Sequence, residues 1–310
     1  MKCKWIKKLT AGIIFLAAVG SLSGCQKAAT SENLFRDIEV NMTSVESAEE
    51  NQIVKLQMGD GDSAISQESN LDIEMTRNPA SVHRKGQQKT NMDGTKETQE
   101  MESYQMEEDG KTVIYSGTDE AWEKNAVEEK ETSSQQTVLF NGLQNLSGAF
   151  SVSQDLATVN KEECFELTGT ISGTQFQETF ADTLKALLGE DSSDLSGWNL
   201  QASEDEENNE ELQQKLNNVK VDCVIDIYRN NILPAKITFD LTDYLKAAGE
   251  ENAQVTSYTL EVTFVSYNDT KKIKVPKAVK ESAKDNGEDE AENSTDEMLE
   301  YMEDVDHVVY

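Results

Sequence analysis

The sequence has little histidine and few catalytic signatures, and both scarcities remove classes of function. Its only histidines, His83 and His307, lie far apart with no metal-ligand pattern around them. A zinc site is therefore not expected, and a Ser-His-Asp triad would be difficult to build. The chain also lacks a Gly-x-Ser-x-Gly elbow, a phosphate-binding loop and a Gly-x-Gly-x-x-Gly turn. We therefore expect a protein that is not an enzyme, with no catalytic residues, no metal and no cofactor.

Basic residues are also scarce relative to acidic ones. The chain has 28 Lys and Arg against 59 Asp and Glu, a formal net charge of −31. Such a charge repels nucleic acid, so no nucleic-acid partner is expected. It also repels anionic lipid head groups, so the protein surface should not hold the chain on a membrane by itself.

Long apolar runs are absent except for one short stretch near the N-terminus. Four lysines between positions 2 and 8 precede an apolar stretch at 9–19, which is too short to span a bilayer and is typical of a secretory signal. Leu22-Ser23-Gly24-Cys25 follows and resembles a bacterial lipobox, in which the Cys thiol is diacylated and the preceding peptide bond is cut. We expect 1–24 to be a lipoprotein signal peptide and 25–30 to be the lipidated Cys with its tether.

This arrangement predicts a protein on the extracytoplasmic face of the cell membrane, held through acyl chains such as palmitate on Cys25. Two acyl chains supply the two hydrophobic signals that stable anchoring needs. The alternative is an ordinary signal peptide followed by a chance cysteine.

Two cysteines remain in the exported part of the chain, Cys164 and Cys223, and the compartment permits a disulfide between them. Both lie in predicted strands. Cys164 alternates with Phe165, which places it on a polar face, whereas Cys223 shares the apolar face of Val221. A disulfide would need a β-bulge to bring the two thiols to one face, so the alternation leaves free thiols and a disulfide as open alternatives.

The first part of the exported chain predicts one helix and then an antiparallel meander. Leu34, Ile38, Met42 and Val45 form one helical stripe, with Ser31 as the expected N-cap. From about 49 to 127, roughly six alternating segments are separated by turn signals such as Asp-Gly.

The second part predicts a mixture of helices and strands. The expected elements are a helix at 136–150, a strand at 165–171, a helix after a Thr174 cap to 188, strands at 219–228 and 233–241, a short helix at 241–248, and strands at 255–267 and 273–275.

Two acidic stretches interrupt or follow this domain. Residues 190–211 are expected to form a solvated loop that runs into a short helix, and residues 281–310 a largely disordered acidic tail. Calcium binding is the alternative for the first stretch, but no Asp-x-Asp-x-Asp-Gly loop with a terminal Glu occurs.

The assembled layout resembles the LolA/LppX-like group of bacterial lipoproteins, in particular the LolA-like lipoproteins of Gram-positive bacteria, over a domain at 31–280. The residues that carry the resemblance are Tyr104, Asp109-Gly110, Val113 to Tyr115, Trp122-Glu123-Lys124, Phe165 to Ile171, Ile225 to Tyr228, Leu233 to Ile237, Tyr267-Asn268-Asp269 and Val275-Pro276.

The resemblance implies an α+β fold: a strongly curved antiparallel β-sheet, an unclosed half-barrel, with helices packed on its concave face. Members of the group bind acyl chains or lipoproteins between sheet and helices. The resemblance therefore implies a non-enzymatic binding lipoprotein with an apolar or lipid ligand. The alternative is a structural lipoprotein with a filled core that acts through its acidic surface on an envelope partner.

Five aromatic residues are candidates to line such a lipid pocket, although their helical spacing is equally typical of an ordinary core. They are Phe140, Phe150, Phe176, Phe180 and Trp198.

Overall fold

A computed structural model describes residues 29–59, 64–92, 94–118, 121–127, 143–188, 206–248 and 255–285. Residues 1–28, which include the expected signal peptide, Cys25 and most of the expected tether, lie outside this part. So do Phe140, Trp198, most of the acidic stretch at 190–211 and the residues from 286 onwards.

The described elements are a first helix, one long meander, and then a mixture of helices and strands. They are α1 (Ser31–Met42), β1 (Ser47–Met58), β2 (Ile65–Arg77), β3 (Ala80–Met92), β4 (Thr95–Glu108), β5 (Lys111–Thr118), β6 (Ala121–Val127), α2 (Leu143–Leu146), β7 (Phe150–Val159), β8 (Glu162–Ser172), α3 (Gly173–Leu188), α4 (Glu206–Asn217), β9 (Lys220–Tyr228), β10 (Pro234–Asp240), α5 (Thr242–Ala248), β11 (Val255–Tyr267), α6 (Lys277–Ser282) and β12 (Lys284–Asp285).

All described strands belong to one open sheet. Its order is β12-β6-β5-β4-β3-β2-β1-β11-β10-β9-β8-β7, so β1 joins the meander to the C-terminal strands. Every pairing is antiparallel except the short contact of β12 with β6. The expected α+β class, with an unclosed antiparallel sheet and helices on one face, is confirmed.

The sheet has an inner face, which carries α1, α3 and α5, and an outer face, which carries α6. On β1 the inner side chains are those of the even-numbered residues from Glu50 to Leu56, and register extends this face to Ile73 of β2 and Arg84 of β3. The outer face carries Glu49, which lies in register with Glu74. This register identifies the face of every residue in the meander.

The C-terminal strands bury their inner face under the helices. The apolar core there includes Leu167, Ile171, Val221, Ile225, Ile237, Phe239, Leu260, Val262 and Phe264, packed against Phe35, Ile38, Phe176, Phe180 and Tyr244 of the helices.

Residues after β11 cross the outer face of the meander as a strap, defined here as residues 269–283. Its Ile273, Val275 and Val279 are buried in a second apolar cluster with side chains of β4, β5 and β6: Tyr104, Val113, Tyr115 and Trp122. The strand expected at 273–275 is wrong, because this segment packs through side chains and has no ladder of its own. Residues 281–285, expected to belong to a disordered tail, contain the end of α6 at 281–282 and β12 at 284–285.

Two helix starts differ from the sequence expectation. Thr30, not Ser31, caps α1 by accepting a bond from the Asn33 amide, while the Ser31 hydroxyl donates to the Ser147 carbonyl. Ser172, not Thr174, is the N-cap of α3. Its hydroxyl accepts a hydrogen bond from the Gln175 amide, and Gln175 Oε1 accepts one from the Ser172 amide. This reciprocal pair is a capping box, which satisfies two amides that would otherwise lack partners.

The helix expected to reach Phe150 ends earlier. Of that stretch the described part contains α2 and a 3-10 turn at Ser147–Ala149, and Phe150 then begins β7. The β7 strand lies at one edge of the sheet, and half of its side chains are polar. A register shift between Val152 and Leu156 also interrupts the apolar alternation by which the other strands are recognised.

Cys164 and Cys223 are both free and buried. In the β8–β9 register Cys164 lies opposite Tyr228 and Cys223 opposite Gly169, so the two thiols are five positions apart and on opposite faces. That is roughly 17 Å along the strand, whereas a disulfide needs Cα atoms within about 7 Å. The described structure therefore contradicts the disulfide alternative.

Candidate functional site

Three of the five candidate pocket aromatics lie in the helix-covered core, and the other two lie outside the described residues. The Phe176 ring contacts those of Phe180, Phe239 and Tyr244 at centroid distances of 5.5, 5.4 and 4.9 Å. Phe150 contacts Phe35 edge to face at 5.2 Å. These rings fill the space between the C-terminal strands and the described helices.

The inner face of the meander has a different composition. The helices on the inner face pack against C-terminal strands: α1 against β7, α3 against β8 and β9, and α5 against β9 and β11. In the meander the inner positions mix apolar and polar side chains, most of them half-buried: Ser69, Leu71, Ile73, Val82, Arg84, Gln88, Met101, Ser103, Gln105 and Ile114.

Two buried polar side chains stand on β1, at the boundary between these two regions. Glu50 and Gln52 have exposed fractions of 2% and 1%. Both carboxylate oxygens of Glu50 and the Oε1 atom of Gln52 lack a hydrogen-bond partner among the described residues. Burial raises the pKa of the Glu50 carboxyl to about 7, an effect that the positive charge of Arg84 opposes.

Arg84 lies two strands from Glu50, in register across Ile73. Burial lowers the pKa of its guanidinium, and the charge of Glu50 acts in the opposite direction. Its Nη1 atom donates to Gln105 Oε1 at 3.4 Å. The inner face therefore carries two opposite charges on either side of an apolar side chain.

A second candidate site is a cleft of about 500 Å³ on the outer face, beneath the start of the strap. At its floor the His83 ring stacks on Tyr104 with centroids 4.3 Å apart. His83 Nδ1 lies 3.1 Å from Glu74 Oε2, and His83 Nε2 lies 3.0 Å from Glu102 Oε1. The lining residues are Glu49, Glu74, His83, Tyr104, Asp269, Lys271, Lys272, Ile273 and Lys274.

Glu102 is the hub of this outer cluster. Burial raises the pKa of Glu102, but bonds from His83, Tyr104 and Lys85 together outweigh burial, so its pKa lies below the ordinary value. The Tyr104 hydroxyl donates to Glu102 Oε1 at 2.8 Å and Lys85 Nζ to Oε2 at 3.0 Å. These hydrogen bonds give Glu102 a structural role that joins three strand residues.

Neither region is arranged for metal chemistry. Within the described part of the chain, no three His, Cys, Asp or Glu side chains are grouped so as to hold a metal ion. No described helix is both long enough and apolar enough to cross a membrane.

The sequence analysis did not identify Glu50, Gln52 or Arg84. A signal for two of them was present: the alternation that places Val54 and Leu56 on one face continues backwards to Gln52 and Glu50. These two polar residues occupy positions at which the alternation predicts buried apolar side chains. Such conflicts between residue type and burial are typical of functional sites.

Comparison with solved structures finds similar chains among bacterial lipoproteins. LprF from Mycobacterium bovis has 11% identity and a TM-score of 0.43, with 79% of this chain and 96% of that chain covered. The Mycobacterium tuberculosis lipoprotein LppX has 13% identity and a TM-score of 0.40, with coverage of 79% and 98%. A putative outer membrane lipoprotein-sorting protein domain from Vibrio parahaemolyticus has 8% identity, a TM-score of 0.24 and coverage of 78% and 95%.

Similarity this low does not carry function from one protein to another. No curated protein matches the sequence. Residues 30–284 match the model of a family described as being of unknown function. The chain therefore belongs to the DUF6612 family.

Proposed function

We propose that this protein is an extracytoplasmic lipoprotein, anchored in the cell membrane through acyl chains on Cys25, that binds an apolar or amphipathic ligand without acting on it chemically. The ligand would lie on the inner face of the meander, beside the helix-covered core. The anchor is supported by the lysine-rich start, the short apolar stretch and Leu22-Ser23-Gly24-Cys25.

The observation that carries the binding proposal is the contrast between the two halves of the inner face. The C-terminal half is packed by aromatic side chains such as Phe176 and Phe239. The meander half combines apolar Leu71 and Met101 with half-buried Arg84, and Glu50 and Gln52 are buried on β1. No described residue donates a hydrogen bond to the carboxylate of Glu50 or to Gln52 Oε1. Burying such groups is unfavourable for folding alone, so their presence beside apolar side chains favours a binding role.

Native mass spectrometry on residues 26–310, purified without detergent, tests the binding proposal. Adducts of lipid mass that vanish on denaturation are expected. A single clean protein mass, with no adduct after addition of a fatty acid or a monoacylglycerol, would overturn it.

Metabolic labelling with a palmitate analogue tests the anchor. The wild-type chain should take up the label and fractionate with membranes, and Cys25→Ser should abolish both. Equal labelling of Cys25→Ser would refute lipidation at this residue.

The filled helix-covered core favours a second candidate function. Under this alternative, the protein binds no small ligand and acts through its acidic surface on another envelope component. Cross-linking in intact cells should then recover one specific partner with wild-type protein, and recovery of no specific partner would exclude it.

A further inference from the structure

Three oxygen atoms at successive inward positions of β1 share one chemical property. Glu50 Oε1, Glu50 Oε2 and Gln52 Oε1 are hydrogen-bond acceptors, and no described residue donates to any of them. Buried side-chain oxygens in folded proteins nearly always have a donor, so three adjacent exceptions need an explanation. Their natural complement is a group that supplies several donors.

The surroundings decide which donor-bearing group fits best. The positive charge of Arg84 acts on Glu50, which disfavours a free cation at the same place. The residues beside the acceptors in register are apolar, Ile73 and Leu71 on β2 and Phe264 and Val262 on β11. A neutral group with hydroxyls, joined to an apolar chain, matches both the acceptors and their neighbours.

We propose that Glu50 and Gln52 accept hydrogen bonds from the hydroxyl groups of the ligand's head group, so that the protein selects hydroxyl-bearing amphiphiles over equally long apolar lipids. This inference rests on the proposed binding function. It goes further by naming the ligand class and the two residues that distinguish it. Glu50 and Gln52 are then specificity residues that face the head group, while half-buried Leu71 of β2 and exposed Met101 of β4 contact the chain.

A competition experiment by native mass spectrometry tests the preference directly. Equimolar 1-monooleoylglycerol and methyl oleate have the same acyl chain, but only the first carries free hydroxyls. Wild-type protein should retain the monoacylglycerol at least about tenfold more than the ester, since a site built to hydrogen-bond a hydroxyl rejects the analogue without it.

Two outcomes separate this inference from the proposed function. Equal retention of both lipids would overturn the head-group preference while leaving the binding function standing. Absence of both adducts would overturn the binding function and, with it, the preference.

Variants on the two faces of β1 provide the matched controls. Glu50→Leu combined with Gln52→Leu should reduce the tenfold preference to about onefold while the ester still binds. Lys55→Leu removes a charge from the exposed outer face of the same strand and should leave the preference unchanged. Glu50→Gln, which keeps the side-chain shape, should lower the preference partially and serves if the double variant does not fold. A preference that survives in both inner-face variants would overturn the assignment.

Discussion

The two halves of the single sheet bury opposite faces. The C-terminal strands bury the inner face under α1, α3 and α5, whereas β4, β5 and β6 bury the outer face under the strap. The two arrangements meet at β1, where Glu50 and Glu49 point to the inner and outer faces respectively. A continuous backbone ladder thus supports both clusters, and among the described residues the inner side chains of β2 to β4 belong to neither.

This difference separates a tightly packed half of the sheet from the half that we propose binds a ligand. The helix-covered half contains interlocking aromatic rings, which favour a single packed arrangement. The strap secures the meander from behind, where Lys280 pairs with Glu108 and lies over the Tyr115 ring at 5.8 Å. The inner meander surface can therefore carry polar side chains such as Glu50 while the strands below it remain fixed.

The largest effect should come from breaking the helix-covered core. Phe176→Ala removes a fully buried ring in contact with three others, and we expect a loss of about 3–5 kcal/mol in the free energy of unfolding. Urea denaturation measures it. Val265→Ala, at a side chain that is 52% exposed, should change stability by less than about 0.5 kcal/mol. Similar losses in the two variants would contradict this account of the core.

A smaller and local effect is expected from the strap. Ile273→Ala should lose roughly 2 kcal/mol, because it removes part of an outer cluster that is much smaller than the helix-covered core. Hydrogen exchange should quicken in the strap, β5 and β6, and stay unchanged in β8 to β11. Lys277→Ala, at an exposed strap position, is the control. Equal acceleration across the whole sheet would show that the two cores are not separate.

The third effect concerns Glu50 and has a defined pH window. Its folded-state pKa of about 7 lies above the ordinary value of 4.5, so the folded state binds the proton more tightly between these pH values. The free energy of unfolding should therefore fall as pH rises from about 4.5 to 7. Glu50→Gln should remove this slope and stabilise the protein by about 3 kcal/mol at pH 8.

Denaturation curves of Glu50→Gln at several pH values, with Glu49→Gln as the outer-face control, measure this effect. A wild-type slope that persists unchanged in Glu50→Gln would assign the pH dependence to another group.

The smallest effect is expected from reduction. Because Cys164 and Cys223 face opposite sides of the sheet, a reducing agent should leave the melting temperature unchanged. Burial raises the pKa of Cys164 to about 11, so the native protein should also react slowly with a thiol reagent at pH 8. A clear drop in melting temperature on reduction would indicate a disulfide and a different register of β8 and β9.

The sequence predicted the parts of the fold that have strong periodicity. The meander, α1, α3, β9 and β11 follow from apolar alternation and from turns such as Asp109-Gly110, whose φ angles of 52° and 79° suit a tight hairpin. The β7 strand is not predicted, because a register shift interrupts the alternation of its apolar side chains. Within the strap, residues 273–275 have the pattern of a strand, since Ile273 and Val275 alternate, although they pack only through side chains.

The candidate site was harder to predict because its signal is a conflict and not a motif. Alternation alone places Glu50 on an apolar face, but only the register with Ile73 and Arg84 shows that the carboxylate is enclosed. Likewise, the aromatic residues that suggested a pocket, such as Phe176, are core residues. Aromatic residues that line a pocket and those that fill a core have the same helical spacing, so the sequence does not distinguish them.

The most direct test of ligand binding on the inner face of the meander is photo-crosslinking with a monoacylglycerol that carries a diazirine in its acyl chain. We expect labelling at inner positions of the meander such as Leu71, Gly86 and Met101, which lie in register across β2, β3 and β4. Labelling at the outer positions His83 and Tyr104, or within the helix-covered core at Phe176, would contradict it.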